Sequence, residues 1–311
     1  EDATDIRRAV PQEIPVPVQK WALSADLYVA HEFRREGQIR DSELAYQVAE
    51  IYMRYKQFPE ARDRFQQVIA CFVRTEVAAL AAANIINTYR EENDLPNLEK
   101  WANLTEKLDI GDPELNKEIR ARIKVFKLGA QFKNAEAMLE AKQYLEAARE
   151  FERLADQNQD AAFADKAYFN SASAYKQVKY YDSASRIFEK LVTDPRYRKS
   201  SFSEESLLEL AETYKLFFNF ERAISAFQTL FTRYPNGSNR YYALFQSALM
   251  QESAGDYARA AKTYERYHQM YPGREDAVGA LYRAGELFER LEDQGEHKRV
   301  LKQFLDQHAN T

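Results

Sequence analysis

Along most of the chain, apolar residues recur three and four positions apart with charged residues between them. That spacing sets the apolar side chains on one face of an α-helix. Prolonged alternation, the period of a half-buried strand, is absent. The pattern also recurs at a longer interval. "NFERAISAFQTLFTRYPNGS" places Ala223, Phe227, Leu230 and Tyr234-Pro235; "DYARAAKTYERYHQMYPG" places Ala260, Tyr264, Tyr267 and Tyr271-Pro272. "YYDSASRIFEKLVTDPR" does the same with Ala184, Phe188, Leu191 and Pro195. A recurrence of this kind decides the fold and comes before any assignment of chemistry.

Aligning a small residue with the large one four positions later gives seven rungs. They are Ala61/Phe65, Leu98/Ala102, Ala147/Phe151, Ala184/Phe188, Ala223/Phe227, Ala260/Tyr264 and His297/Leu301, separated by 37, 49, 37, 39, 37 and 37 residues. Twelve residues before most rungs stands a small residue with an aromatic three later: Ala49/Tyr52, Ala172/Tyr175, Ala211/Tyr214 and Gly285/Phe288. Ile86/Tyr89, Ala135/Met138 and Ala248/Gln251 are variants of that pair. The arrangement predicts two helices per repeat, close where small residues face each other and filled by aromatics on either side. Turn residues agree. Pro59 and Pro96 fall in the first turn of a second helix, where a missing N–H costs little, and Gly255-Asp256 supplies a stop and a cap.

A helix-turn-helix unit with small residues at positions 8 and 20, aromatics at 11 and 24 and proline near 32 resembles the tetratricopeptide repeat. The resemblance spans about Asp41 to Ala309 and implies an all-α fold, an α-α superhelix of about seven repeats. The period departs from the family's, being mostly 37 rather than 34. Trp at position 4 and Gly at position 8 are mostly replaced, and His297 stands where alanine is usual, marking a degenerate last repeat. The longer period, with "RYPNGSNRYYALF" and "MYPGREDAVGALYRAG", resembles the repeats of bacterial cell-envelope proteins, namely the outer-membrane assembly lipoprotein and the periplasmic Tol-Pal partner. A periplasmic or outer-membrane-associated location is the expectation that follows.

The chain divides on this reading into a proline-rich extended lead-in over 1–20, with Pro11, Pro15 and Pro17, and a capping helix over 21–40. Two repeats follow over 41–110. Repeats three to seven occupy 111–311 and open with one long helix, capped by Asp112 and hinged near Gly111, because the 49-residue step exceeds 37 by 12.

Composition narrows function. The 311 residues carry a net charge of -5 with both signs interspersed, so no basic stripe suggests nucleic acid. The longest apolar stretch, Val77 to Ile86, is too short to span a bilayer, which needs about 20 residues. Cys71 is the only cysteine, sits at helical spacing and reads as a small apolar residue. The histidines, His31, His268, His297 and His308, show no metal-ligand spacing, and no glycine-rich phosphate loop occurs. No catalytic residue, metal or cofactor is expected.

What the resemblance implies instead is a concave groove lined by the first helix of each repeat. The matching positions are Tyr46 and Met53 in repeat one, Phe132, Lys166, Phe169 and Lys176 in the middle, and Tyr242, Phe245, Leu249 and Tyr282 toward the end. Glu50, Arg54, Glu136 and Ser173 fall in the same rows. Aromatics bury much area with few rotatable bonds and so anchor interfaces, but position 5 also suits packing against the adjacent helix. Neighbouring helical residues cannot share one face, so one member of Tyr180-Tyr181 and of Tyr241-Tyr242 is expected at the surface. The carboxylate clamp of co-chaperones is only half matched: Asn87, Asn134 and Lys166 fit, whereas Ala83 and Asn170 stand at cationic positions.

The expected function is a non-catalytic scaffold holding a protein or peptide segment within an envelope machine of assembly, trafficking or motility. The chain begins at Glu1 rather than methionine, as a processed form or excised fragment would. A regulatory or targeting module of a larger enzyme or signalling protein is therefore the alternative. Self-association through an exposed terminal repeat is a further expectation.

Overall fold

In a computed structural model of the chain, residues 10–32, 39–73, 75–108, 110 and 113–308 are described. They form fifteen α-helices, one short 3-10 turn and no strand. Residues 1–9, Gly111 and Asp112, the last two named above as hinge and cap, lie outside the described residues. Two compact units divide the chain, Glu1–Asn134 and Ala135–Thr311. The division falls within one long helix, Pro113–Glu140.

The first unit holds α1 (Val16–Glu32), α2 (Ile39–Arg54), α3 (Phe58–Cys71), α4 (Glu76–Glu91) and α5 (Leu95–Lys107), with the start of α6 (Pro113–Glu140). Helix α1 begins five residues earlier than the expected cap because Pro17 sits in its first turn, where proline's fixed φ suits a helix. The second unit holds the end of α6, then α7 (Tyr144–Gln157), α8 (Ala164–Gln177), α9 (Tyr181–Thr193) and α10 (Ser203–Leu216). It continues with α11 (Phe220–Arg233), α12 (Arg240–Ser253), α13 (Tyr257–Met270), α14 (Glu275–Arg290) and α15 (Gln294–His308). From α7 to α15 consecutive helices pack chiefly on one another, so that run is a stack of helix pairs. Below, the first helix of each pair is its A helix and the second its B helix.

The turn inside each pair is built the same way seven times. Lys56, Asn93, Lys142, Lys179, Phe218, Gly255 and Glu292 take the left-handed conformation, with φ from 56° to 82°. They are 37, 49, 37, 39, 37 and 37 residues apart, the intervals of the rungs, and each precedes its rung by five. In each turn the next residue's N–H reaches back five residues to a helix carbonyl, as Asn219 does to Tyr214 at 2.9 Å and Asp256 to Gln251 at 2.9 Å. That bond closes a Schellman motif. In four turns the same residue also caps the B helix: Asp94, Asn219, Asp256 and Asp293 accept from the N–H three residues on. In those turns one residue ends one helix and starts the next.

The rungs form the core. Ala61, Ala147, Ala184, Ala223 and Ala260 are wholly buried, as are Ala49, Ala135, Ala172, Ala211 and Ala248 on the A helices. Phe65, Phe151, Phe188 and Phe227 are buried beside them. Without side chains beyond Cβ at the crossing, two helices approach closely, and the aromatics fill what remains. Burying one such ring contributes about 1.5–3 kcal/mol.

Candidate functional site

The exposed side of the A helices is where a groove would lie. In the second unit its residues come from α8, α10, α12 and α14. Polar side chains tie these helices together across their boundaries. Lys166 of α8 pairs with Glu136 at 2.9 Å and Lys176 of α8 with Glu209 of α10 at 2.6 Å. Tyr242 of α12 donates to Glu212 of α10 at 2.8 Å, and within α10 Lys215 pairs with the same Glu212 at 2.5 Å. The face is consequently polar, charge-balanced and pre-ordered by its own contacts.

Position 5 behaves differently. Its residues mostly turn toward the B helix of their own repeat. Tyr46 meets Phe65 with ring centroids 5.6 Å apart, Phe169 meets Phe188 at 5.8 Å, Phe245 meets Tyr264 at 5.6 Å, and Tyr282 meets Phe304 at 5.8 Å. Phe169 also leans on Phe202 at 5.1 Å and Phe245 on Tyr267 at 5.2 Å. Phe132 is buried, and Met53 packs half-buried against the first unit's core. Tyr46 further accepts a hydrogen bond from Asn84 at 2.8 Å. Of the ten groove residues named from sequence, Leu249, Tyr282 and Lys166 are exposed, Leu249 to 37% and Tyr282 to 53%. Lys176, Tyr242, Phe169 and Phe245 are half-buried.

The tyrosine pairs divide as geometry allows. Tyr180 is exposed while Tyr181 stacks on Phe217 at 6.1 Å. Tyr241 and Tyr242 are both half-buried, because Arg274 covers the Tyr241 ring at 3.5 Å and Phe227 meets the Tyr242 ring edge-on.

A second network on the other side of the stack was not visible in sequence. Glu152 of α7 accepts from Tyr175 of α8 at 2.9 Å and pairs with Arg186 of α9 at 2.5 Å. Glu189 of α9 repeats this with Tyr214 of α10 and with Arg222 of α11. Burial, then the carboxylate partner, pushes Tyr175 and Tyr214 up to about 12. Asp156 likewise binds Tyr168 at 2.6 Å and Lys190 at 2.8 Å. The position-11 tyrosine that marks the repeat is therefore also its clamp. The two acids stand 23 and 25 residues before their tyrosines, so no single sequence spacing marks the pair.

Among the described residues no group of three or more His, Cys, Asp or Glu could hold a metal ion. His268 is buried with its ring nitrogens 3.1 Å from the Ala277 carbonyl and 2.9 Å from Gln307 Oε1, a packing arrangement. Cys71 is exposed, contrary to the buried reading from its helical spacing, because it ends α3 on the solvent side. No described helix is long and apolar enough to cross a membrane.

A family comparison matches two of these helix pairs. The tetratricopeptide repeat profile matches residues 205–237 and 242–273, each an A–B pair with its Schellman turn. These are tetratricopeptide repeats. The tetratricopeptide-type helix pairing extends beyond the two matched copies, since the same turn recurs in all seven pairs. Among solved structures, the C-terminal part of a TPR repeat-containing protein from Cytophaga hutchinsonii is 15% identical. It covers 86% of this chain and 96% of its own, with a TM-score of 0.43. A signal transduction ATPase with a tetratricopeptide repeat sensor, from Pyrococcus horikoshii, is 12% identical over 87% of this chain and 42% of its own, TM-score 0.44. YrrB, a TPR protein with an unusual peptide-binding site, is 16% identical over 58% of this chain and 86% of its own, TM-score 0.39. No curated protein matches the chain.

Proposed function

We propose that the chain is a non-catalytic scaffold that holds a segment of another protein along the A helices of its second unit. The observation that carries this is the character of that face. Its charged side chains pair with one another rather than converging on a pocket, while Leu249 remains exposed among them. Stacked tetratricopeptide repeats generate extended surfaces of this kind. A pre-ordered face loses little side-chain freedom when a partner arrives. The partner lies against Leu249 as its apolar anchor and exchanges hydrogen bonds with the Lys176–Glu209 and Tyr242–Glu212 pairs.

The cellular setting proposed is a bacterial envelope machine, with the chain in the periplasm or at the outer membrane. It is supported by the 37-residue period and the Tyr-Pro endings of the second helices at Tyr234-Pro235 and Tyr271-Pro272. Cell fractionation of the native organism tests the compartment. Affinity capture with the wild-type chain and with Leu249→Arg, followed by mass spectrometry, tests the face. The expected result is a protein retained by the wild type and lost by the variant at unchanged melting temperature. Identical capture by both removes the proposal for this face.

A further inference from the structure

The two terminal helices of the chain show complementary surfaces. In α11 and α13, the residues equivalent to Lys298, Leu301 and Leu305 are Ile224, Phe227 and Phe231, and Ala261, Tyr264 and His268. All six are buried. In α15 the same positions are open: Leu301 is 42% and Leu305 54% exposed, with Lys298 and Lys302 alongside. Among the described residues α15 packs chiefly on α14, with Arg299 and Gln307 reaching Glu265 and His268 of α13, and Lys298, Leu301 and Leu305 stay exposed. The result is an apolar stripe with a cationic edge.

The N-terminal part of the chain is built inside out. Helix α1 packs on Val48 of α2 through the small residues Ala22 and Ala25, and leaves Trp21, Leu23, Leu27 and Tyr28 exposed. Solenoids ordinarily close their ends with a polar outer face. Beside α1, a groove of about 470 Å³ opens between α1, α2 and α3, walled by Val29, Ala45, Val68 and Phe72. Its acids are unequal. Asp26 is held by both its oxygens on Arg64, at 2.8 and 2.9 Å, whereas Glu60 and Asp63 are exposed on the rim.

We propose that these surfaces join head to tail: α15 of one molecule docks on the α1–α3 groove of a second copy of this chain. Leu301 and Leu305 cover Leu23, Leu27 and the groove, while Lys298 and Lys302 reach Glu60 and Asp63. Spacing supports the match. Lys298/Lys302 are four apart and Glu60/Asp63 three apart, each pair about 5–6 Å between Cβ atoms on its helix. Charge selects this arrangement over its symmetric rival. Two α15 helices face to face would oppose Lys298 and Lys302 to themselves, whereas the groove presents carboxylates. A contact between unlike patches leaves one free end of each kind, so assembly continues unless a ring closes.

Light scattering and sedimentation of the full chain test this. The wild type should exceed the mass of one 36.3 kDa chain increasingly with concentration. Leu301→Glu/Leu305→Glu (tail blocked) and Leu23→Glu/Leu27→Glu (head blocked) should each remain monomeric. Mixed together they should form a one-to-one pair and stop, since one intact head and one intact tail remain. All four positions are exposed, so melting should not change. As a second arm that leaves the apolar residues intact, Lys298→Glu/Lys302→Glu should lose association and regain it when combined with Glu60→Lys/Asp63→Lys. A wild type monomeric at every concentration overturns the proposal. So does a mixture that fails to pair, or a tail-blocked variant that still associates, which would mean α1 pairs with α1.

Discussion

Tyr242 donates its hydroxyl to Glu212 at 2.8 Å while its ring meets Phe227 edge-on at 6.3 Å, so one side chain joins α12 to both α10 and α11. The two contacts can be separated. Tyr242→Phe keeps the ring and removes the bridge; a hydrogen bond to a charged group contributes about 1.5–3 kcal/mol, and half-exposure brings that toward about 1 kcal/mol. Tyr242→Ala loses the ring as well and should cost clearly more. Urea denaturation of both variants checks this, and equal losses would mean that the ring contact contributes nothing.

Carboxylate-clamped tyrosines set the chain's response to alkali. Burial, followed by a carboxylate neighbour, raises Tyr46, Tyr168, Tyr242, Tyr264 and Tyr267, and brings Tyr175 and Tyr214 to about 12. In the unfolded chain tyrosine ionises near about 10. A folded value above the unfolded one gives stability that is complete below about pH 10 and is lost as pH rises through the folded values. Unfolding should therefore set in between about pH 10 and 12, with tyrosinate absorbance and loss of helical circular dichroism rising together. Full ionisation near pH 10 with the helices intact would contradict it.

Much of this architecture is legible in the residues themselves. The rung positions give the seven turns because the left-handed residue stands five before each rung, at Lys56 before Ala61 as at Gly255 before Ala260. Helical spacing fixes which residues share a face, but not which neighbour that face meets. That is why Phe169 and Phe245 fit a groove row in sequence and yet turn their rings onto Phe188 and Tyr264. Long-range polar pairs such as Tyr175 with Glu152 depend on how successive helices superpose, which no single helix pattern contains. In helix α1 the large residues lie on the side away from α2, the reverse of the usual arrangement, so its apolar positions do not mark its packing face.

The close helix crossing gives a direct test of register. Ala223 is wholly buried where α10 and α11 approach, as is Ala211 opposite. Ala223→Leu adds three carbons to a filled space, and overpacking of this kind typically costs about 1–3 kcal/mol. Thermal denaturation should show the loss, and the neighbouring repeat should share it because stacked repeats stabilise one another. Melting unchanged from the parent would place Ala223 away from the crossing.

Phe218 stands out among the seven turn residues. It holds φ 62° where the others are lysine, asparagine, glycine or glutamate, and its side chain is 78% exposed. A residue with a Cβ spends roughly 1–2 kcal/mol in that conformation, and an exposed ring recovers little of it by burial. The ring's contact is Phe220, edge-on at 6.1 Å. Phe218→Gly removes the backbone strain, loses that contact, and adds freedom to the unfolded chain. The net expectation is a gain of about 0.5–1 kcal/mol. Gly255→Ala supplies the reciprocal case: φ is 82° there, and a Cβ would meet nothing within 4 Å, so any cost comes from the backbone. It should lose about 1 kcal/mol. Urea unfolding of the two variants on the same parent decides the matter. If Phe218→Gly lowers stability while Gly255→Ala also does, the Phe218 ring is holding the α10–α11 turn through its contact with Phe220, and the strain is secondary.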